Sequence, residues 1–173
     1  MVKQYTFRDK QQEQAISLDY EVEYRLWPHA DKAISIIETV ANEEAAICAY
    51  TDGIKYHGGV GSGVVIFKGS DIIARQKMKL EERCSKNQTE QVSIHKALEE
   101  TELLNRERIG PLTAIIYTDS RVSLDSLRNA KNHAFLVEEI RKQVASLERR
   151  ERRIKFPGPK PTLEHLAMRW LID

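Results

Sequence analysis

The tripeptide Tyr-Thr-Asp occurs twice in the chain, at 50–52 and 117–119. Each time it closes an apolar run, and each time a small residue follows, Gly53 or Ser120. A single aspartate in such a place is most often a turn former or helix cap. Two of them gain another use if the chain brings them together with a third acid. An oxygen-only cluster of carboxylates suits Mg²⁺ or Mn²⁺. Glu90 is the third acid. It heads the series Glu90, Ile94, Ala97, Leu98 and Thr101, spaced i, i+4, i+7, i+8 and i+11, which on a helix is the stripe that presses against a sheet. An acid on that stripe is costly unless it is paired or metal-bound. Three crowded carboxylates also raise one another's pKa values, and a divalent cation reverses that penalty. Taken alone, Glu90 would be a first-turn acid favoured by the helix dipole. Taken jointly, Asp52, Glu90 and Asp119 are candidate catalytic residues and metal ligands.

For the three acids to meet, both aspartates must emerge at the C-terminal edge of neighbouring parallel strands, where open sheets place their ligands. The elements for this are present. AAICAYTD reads as a strand and GVVIFKG as a second, separated by the glycine-rich YHGGVGSG. DIIARQKMKL is a third, with Ile72, Ala74, Gln76 and Met78 on alternate positions, and the short connections predict an antiparallel meander. Ser85 with Gln88 three residues later forms a capping box, so a helix should start there. LTAIIYTD is a fourth strand, SRVSLDSLRNA a short helix, and 135–147 a helix with Leu136, Ile140, Val144 and Leu147 on one face. RRIKF is a fifth strand, and after PGPKP the run TLEHLAMRWLI is a last amphipathic helix. Strand alternation puts Cys48, Tyr50 and Asp52 on one face of the first strand and Ile115, Tyr117 and Asp119 on one face of the fourth, each aspartate ending its strand. The fold class is therefore α/β, a mixed sheet with helices against it. Residues 1–44 read as a polar N-terminal lead-in arm with a short helix near 33–40, residues 45–156 as the domain, and 157–173 as a helical C-terminal segment.

The chain has 173 residues, 41% apolar and 31% charged, which fits one globular domain plus an extension. Net charge is only +1, but its distribution is uneven. Residues 1–46 carry nine acids against five bases, and 141–160 carry eight bases against two acids. Within the second stretch, 149–155 is a candidate polyanion contact whose alternative is a solvated helix end. The two cysteines form no metal or disulfide pattern, and Cys48, inside an apolar run, reads as a buried thiol. No His/Cys spacing supports zinc. The polar start and the lack of any apolar run near a membrane span predict no membrane partner and an intracellular protein, cytoplasmic or nuclear. An aspartate-nucleophile phosphatase is disfavoured because that chemistry wants an acid two residues after the first, where Ile54 stands.

In order, YTDG at 50–53, GVGSGVVIF at 59–67, SKNQTEQVSIHKALE at 85–99 and IYTDSRVSLDSL at 116–127 resemble the successive blocks of the ribonuclease H domain, especially as found in reverse transcriptases of retrotransposons lacking long terminal repeats. KNHAFLVEEIRK resembles its later helix, so the resemblance covers roughly 45–156. It implies a ribonuclease H-like mixed five-stranded sheet, three antiparallel strands and then parallel ones, with helices on its faces. It implies an endonuclease that hydrolyses the RNA strand of RNA–DNA hybrids with Mg²⁺, Mn²⁺ serving as a substitute, and a reverse transcriptase domain as a further partner. In that family four acidic residues hold two metal ions for in-line attack of water on a phosphodiester; Asp52, Glu90 and Asp119 match the first three. Selectivity for the hybrid needs contacts to RNA 2′-hydroxyls and backbone with little base reading. Asn87 and Gln88 match positions that reach the hybrid's minor groove. Gly53 would let the backbone approach substrate closely and Ser120 would touch a phosphate. The alternatives are Gln88 as capping-box partner and Ser120 as N-cap.

The resemblance stops after RRIKF. The family continues there with a His-containing loop, Gly-Asn-Glu and a fourth aspartate at the start of the last helix, whereas this chain has PGPKPTLEHLAMRWLID. His165 and Asp173 are the only residues of the right types and read as chance. Either the end is truncated or frameshifted, or the fourth acid comes from elsewhere, for instance Asp125 or Glu164. The rival reading is accordingly a catalytically impaired ribonuclease H-like domain that binds nucleic acid or is a structural remnant.

Overall fold

The computed structural model of the chain describes residues 9–14, 34–37, 46–56, 59–105 and 112–158. The C-terminal helix expected from TLEHLAMRWLI lies outside them, as do Glu164, His165 and Asp173. In chain order the elements are β1 (Asp9–Gln14), β2 (Ile36–Ile37), β3 (Ile47–Tyr56), β4 (Gly59–Lys68), β5 (Asp71–Leu80), α1 (Lys86–Asn105), β6 (Leu112–Thr118), α2 (Arg121–Arg128), α3 (Phe135–Glu148) and β7 (Arg152–Pro157). They form one seven-stranded sheet in the order β1-β5-β4-β3-β6-β7-β2. β3, β4 and β5 are the antiparallel meander, and β6 and β7 continue from β3 in parallel. The five expected strands and their directions are thus the centre of the sheet.

Two more strands come from the lead-in residues. β1 runs parallel to the edge of β5, and β2 pairs with β7. The helix expected near 33–40 is not formed at 36–37, where Ile36 and Ile37 pair with Phe156 and Pro157 instead. The Gly158 N–H donates to Ile37 O at 2.9 Å, and the Ile34 N–H to Leu127 O at 3.1 Å. A stretch as short as Ile34-Ser35-Ile36-Ile37 has no resolvable period, and the open edge of β7 supplies partners for its backbone. Ile34 is buried in the main core cluster.

Two boundaries also differ from expectation. β3 does not end at Asp52 but runs on to Tyr56, and residues 59–63 of the glycine-rich stretch taken as a connection are the first half of β4. Antiparallel pairing carries both on, with Asp52 opposite Gly63 and Tyr56 opposite Gly59. Between Ile66 and Phe67 the β4–β5 register shifts, so Ile73 is buried while Ile72 is only half-buried. Beyond the bulge, Ala74, Gln76 and Met78 alternate inward as predicted.

The core lies between one face of the sheet and the helices. Ile47, Ala49, Val64, Ile66 and Ile116 of the strands meet Ile94, Ala97 and Leu98 of α1 and Val137, Ile140 and Val144 of α3. Each fully buried aliphatic side chain there contributes about 1.5–3 kcal/mol. The helix stripe read from the sequence is the one used: Glu90, Ile94, Ala97, Leu98 and Thr101 are all buried.

Candidate metal centre

The repeated tripeptide is one parallel pairing built from the same residues on both strands. Tyr50 lies opposite Tyr117 and Thr51 opposite Thr118, and the β3–β6 ladder ends there. The next residue on each strand is the aspartate. The tyrosine rings stack at 4.9 Å with planes 10° apart, and Tyr50 meets Phe67 edge-on at 5.5 Å. The Thr51 hydroxyl donates to Tyr117 O at 2.9 Å, tying the two strands just below the aspartates.

α1 brings the third acid. Its capping box forms as predicted, with the Ser85 N–H donating to Gln88 Oε1 at 2.6 Å and the Gln88 N–H to Ser85 Oγ at 3.2 Å. Because the helix begins at Lys86, no acid stands in its first turn. Glu90 is one turn further in and faces the sheet rather than the helix dipole. Gly53 lets it arrive. A Cβ at Gly53 would clash with Thr89 Oγ1 and would lie 2.6 Å from Glu90 N and 2.8 Å from Thr89 C.

One carboxylate oxygen from each of Asp52, Glu90 and Asp119 lies within 4.8 Å of the other two. Asp52 and Glu90 are buried and Asp119 half-buried. Both Glu90 oxygens and Asp119 Oδ1 are buried without a hydrogen-bond partner, which is rare for carboxylates unless something else satisfies them. Burial first, then the charges of Asp119 and Asp52, push the Glu90 carboxyl up to about 8; Lys86 and the Gly53 N–H oppose them without offsetting them. Acceptor-only oxygens converging from three residues are what a hard divalent cation requires, so these three residues fit one.

The other expected site residues surround the triad but are engaged within the protein. Gly53 gives close approach to α1. Gln88 serves as the capping-box partner. The Ser120 hydroxyl caps α2, accepting from the Ser123 N–H at 3.2 Å. Asn87 Oδ1 accepts from the Ser123 hydroxyl at 3.1 Å, and Ser123 Oγ also lies 2.9 Å from Ser120 Oγ. Sequence reasoning missed Ser123, which joins the starts of α1 and α2 beside the triad; its signal was the Ser-x-x-Ser spacing at the start of a helix. It also missed Lys86, exposed one turn before Glu90 and acting on its charge.

Four further expectations change. Arg141, counted in the basic stretch, is fully buried. It pairs with Glu138 at 2.8 Å and donates to the carbonyls of Ser126, Leu127, Asn129 and Asn132. Of the 149–155 bases, Arg150 pairs with Glu102 at 2.8 Å and Arg149 Nε donates to Ala145 O at 3.3 Å. Asp125 does not join the triad; it is exposed on α2, 4.0 Å from Arg128. Among the described residues no fourth carboxylate joins the group. Cys48 is half-buried on the outer sheet face, and Cys84 is the buried thiol.

No protein-family model and no curated protein sequence matches the chain. Solved structures do. The N-terminal RNase H domain of Rv2228c from Mycobacterium tuberculosis, determined as a fusion with maltose-binding protein, is 20% identical with a TM-score of 0.53, over 70% of this chain and 87% of that one. RNase H1 from the halophilic archaeon Halobacterium salinarum is 18% identical with a TM-score of 0.48, over 73% of this chain and 90% of that one. The likeness to the Mycobacterium tuberculosis domain makes the fold ribonuclease H-like: a mixed sheet, here with an acidic triad at the end of its central parallel pair. Among the described residues no helix is long and apolar enough to cross a membrane.

Proposed function

We propose that the chain is a divalent-metal-dependent endonuclease that hydrolyses the RNA strand of RNA–DNA hybrids. The observation that carries this reading is the convergence of Asp52, Glu90 and Asp119 within 4.8 Å, with three buried oxygens lacking donors. These residues would hold Mg²⁺, with Mn²⁺ as a substitute. A cation there supplies positive charge for a phosphodiester and for the water that attacks it. Glu90, protonated up to about pH 8 by its surroundings, must give up that proton to become a ligand. Thr51 ties the strand pair together, and Gly53 sets its distance from α1, on both of which the triad depends. Gly53, Asn87, Gln88 and Ser120 are the residues assigned to substrate in this reading. Ser123 occupies the Asn87 carbonyl oxygen, which orients the amide NH₂ as the donor for a 2′-hydroxyl, the group that distinguishes RNA from DNA. The motif blocks at 50–53, 59–67, 85–99 and 116–127 further support a retroelement origin and a reverse transcriptase domain as partner.

A second reading, a catalytically impaired domain that still binds nucleic acid or is a structural remnant, is favoured by one observation: the triad has no fourth carboxylate among the described residues. Cleavage of a labelled RNA–DNA hybrid with Mg²⁺ and with Mn²⁺, beside single-stranded and duplex RNA, separates the two. Hybrid-only cleavage that Asp119→Asn abolishes is the expected result. Absence of cleavage by folded protein would establish the impaired domain.

A further inference from the structure

The three acids of the triad stand on three elements, so three separations have to be fixed. Asp52 is on β3 and Glu90 on α1, and Asp119 follows the last residue of β6. The β3–β6 ladder, whose final pair is Thr51 with Thr118, and the Thr51–Tyr117 bond set the distance between the aspartates. The bare Cα of Gly53 lets Glu90 come close to Asp52. The third separation, Glu90 to Asp119, has neither device, because Asp119 lies one residue beyond the ladder.

A chain of hydrogen bonds spans that gap. Across Asp119, the Ser120 N–H donates to Thr118 Oγ1 at 3.2 Å. The Ser120 hydroxyl accepts from the Ser123 N–H at 3.2 Å and donates to Ser123 Oγ at 2.9 Å. Ser123, fully buried, in turn donates to Asn87 Oδ1 at 3.1 Å. Each of the two hydroxyls is thus donor and acceptor at once. Asn87 and Glu90 are i and i+3 on α1, neighbours on the helix surface about 5–6 Å apart, and the capping box closes the turn that carries Asn87. What holds Asn87 therefore holds Glu90.

We propose that Ser123 is a positioning residue of the metal centre, its hydroxyl fixing the start of α1 against the residue after Asp119 and so setting the Glu90–Asp119 separation at which a divalent cation is held. Ser123 supplies no ligand and acts through Asn87 and Ser120. Removing its hydroxyl leaves Asn87 Oδ1 without this donor in a site where a lost bond is costly, and frees the start of α1 to shift relative to Ser120. Groups that orient metal ligands in this indirect way are worth about 10–100-fold in metal affinity. This inference rests on the divalent-metal part of the proposed function and does not depend on which nucleic acid is cut.

The test is Mn²⁺ binding by the full chain, measured by calorimetry and by electron paramagnetic resonance of the bound ion, whose line shape reports the symmetry of its ligands. Ser123→Ala keeps the N–H that Ser120 accepts and removes only the hydroxyl. It should weaken Mn²⁺ binding about tenfold, the lower end of that range, and change the line shape. Asn87→Ala should do the same, and the double variant should be no weaker than either single one, because both break the same bond. Ser126→Ala removes a hydroxyl that bonds Val122 O on the same helix and should leave both readouts at wild type. Unchanged affinity and line shape in Ser123→Ala, whatever its urea midpoint, would make Ser123 a packing residue and overturn the proposal. Additive losses in the double variant would overturn the bridge through Asn87. Absence of Mn²⁺ binding by the folded wild-type chain would overturn the metal reading and this proposal with it.

Discussion

Glu90 is the residue on which the chemistry turns, because it combines burial with two like-charged neighbours. Without a cation its proton stays on up to about pH 8 in the folded chain but leaves in the ordinary carboxylate range when the chain unfolds. Between those values the folded state binds more protons, so stability falls as pH rises. The contribution is full below the unfolded carboxylate range and gone once pH passes about 8. Chelated protein should therefore show a falling unfolding midpoint from about pH 5 to pH 8, and Glu90→Gln should flatten that fall; urea titrations at several pH values check both. Cation affinity has the opposite slope, because the proton must leave first. Added Mn²⁺ should raise the thermal midpoint more at pH 8 than at pH 6. Asp119→Asn should remove that rise and lower cleavage by more than the roughly 10–100-fold typical of changes just outside a metal site.

At the scale of elements, the site depends on how α1 docks against β3. Gly53→Ala would put a methyl group against the backbone of Thr89 and Glu90. Overpacking of this kind costs about 1–3 kcal/mol, and relief by a shift of α1 moves Glu90 away from the aspartates. The expected outcome is a lower urea midpoint together with weaker Mn²⁺ binding, measured by calorimetry. A stability loss alone would mean that Gly53 serves packing and not the site. Arg141 is a second joint between elements. It fastens the α2–α3 connection through four carbonyls and the buried Glu138. Arg141→Met would leave Glu138 buried beside His133, which lies 3.1 Å away, and should cost about 3–5 kcal/mol. The capping box, the helix stripe and the Tyr-Thr-Asp pairing were legible beforehand because each is written in local spacing. The Arg141 clamp was not. A base in a basic stretch looks solvated until the fold shows which carbonyls surround it.

At the scale of the molecule, the chain closes its sheet with pieces that local pattern does not mark. Ile34 is buried among residues of the main core, so Ile34→Ala should destabilise the protein by about 2–3 kcal/mol, toward the lower end for such truncations. Equilibrium unfolding measures it, and a change near zero would detach the lead-in residues from the core. The sequence alone determined the mixed α/β class, the five central strands with their directions, and the three acids. Those depend on periodicity, capping and turn chemistry, which act over a few residues and survive in any reading of the chain. Only the tertiary structure decided that β3 runs past Asp52, that 36–37 is a strand, that Arg141 is internal, that Asp125 stands apart, and that Ser123 bonds to Asn87. Each of those outcomes depends on which backbone lies beside which, and neighbours distant in sequence leave no local mark.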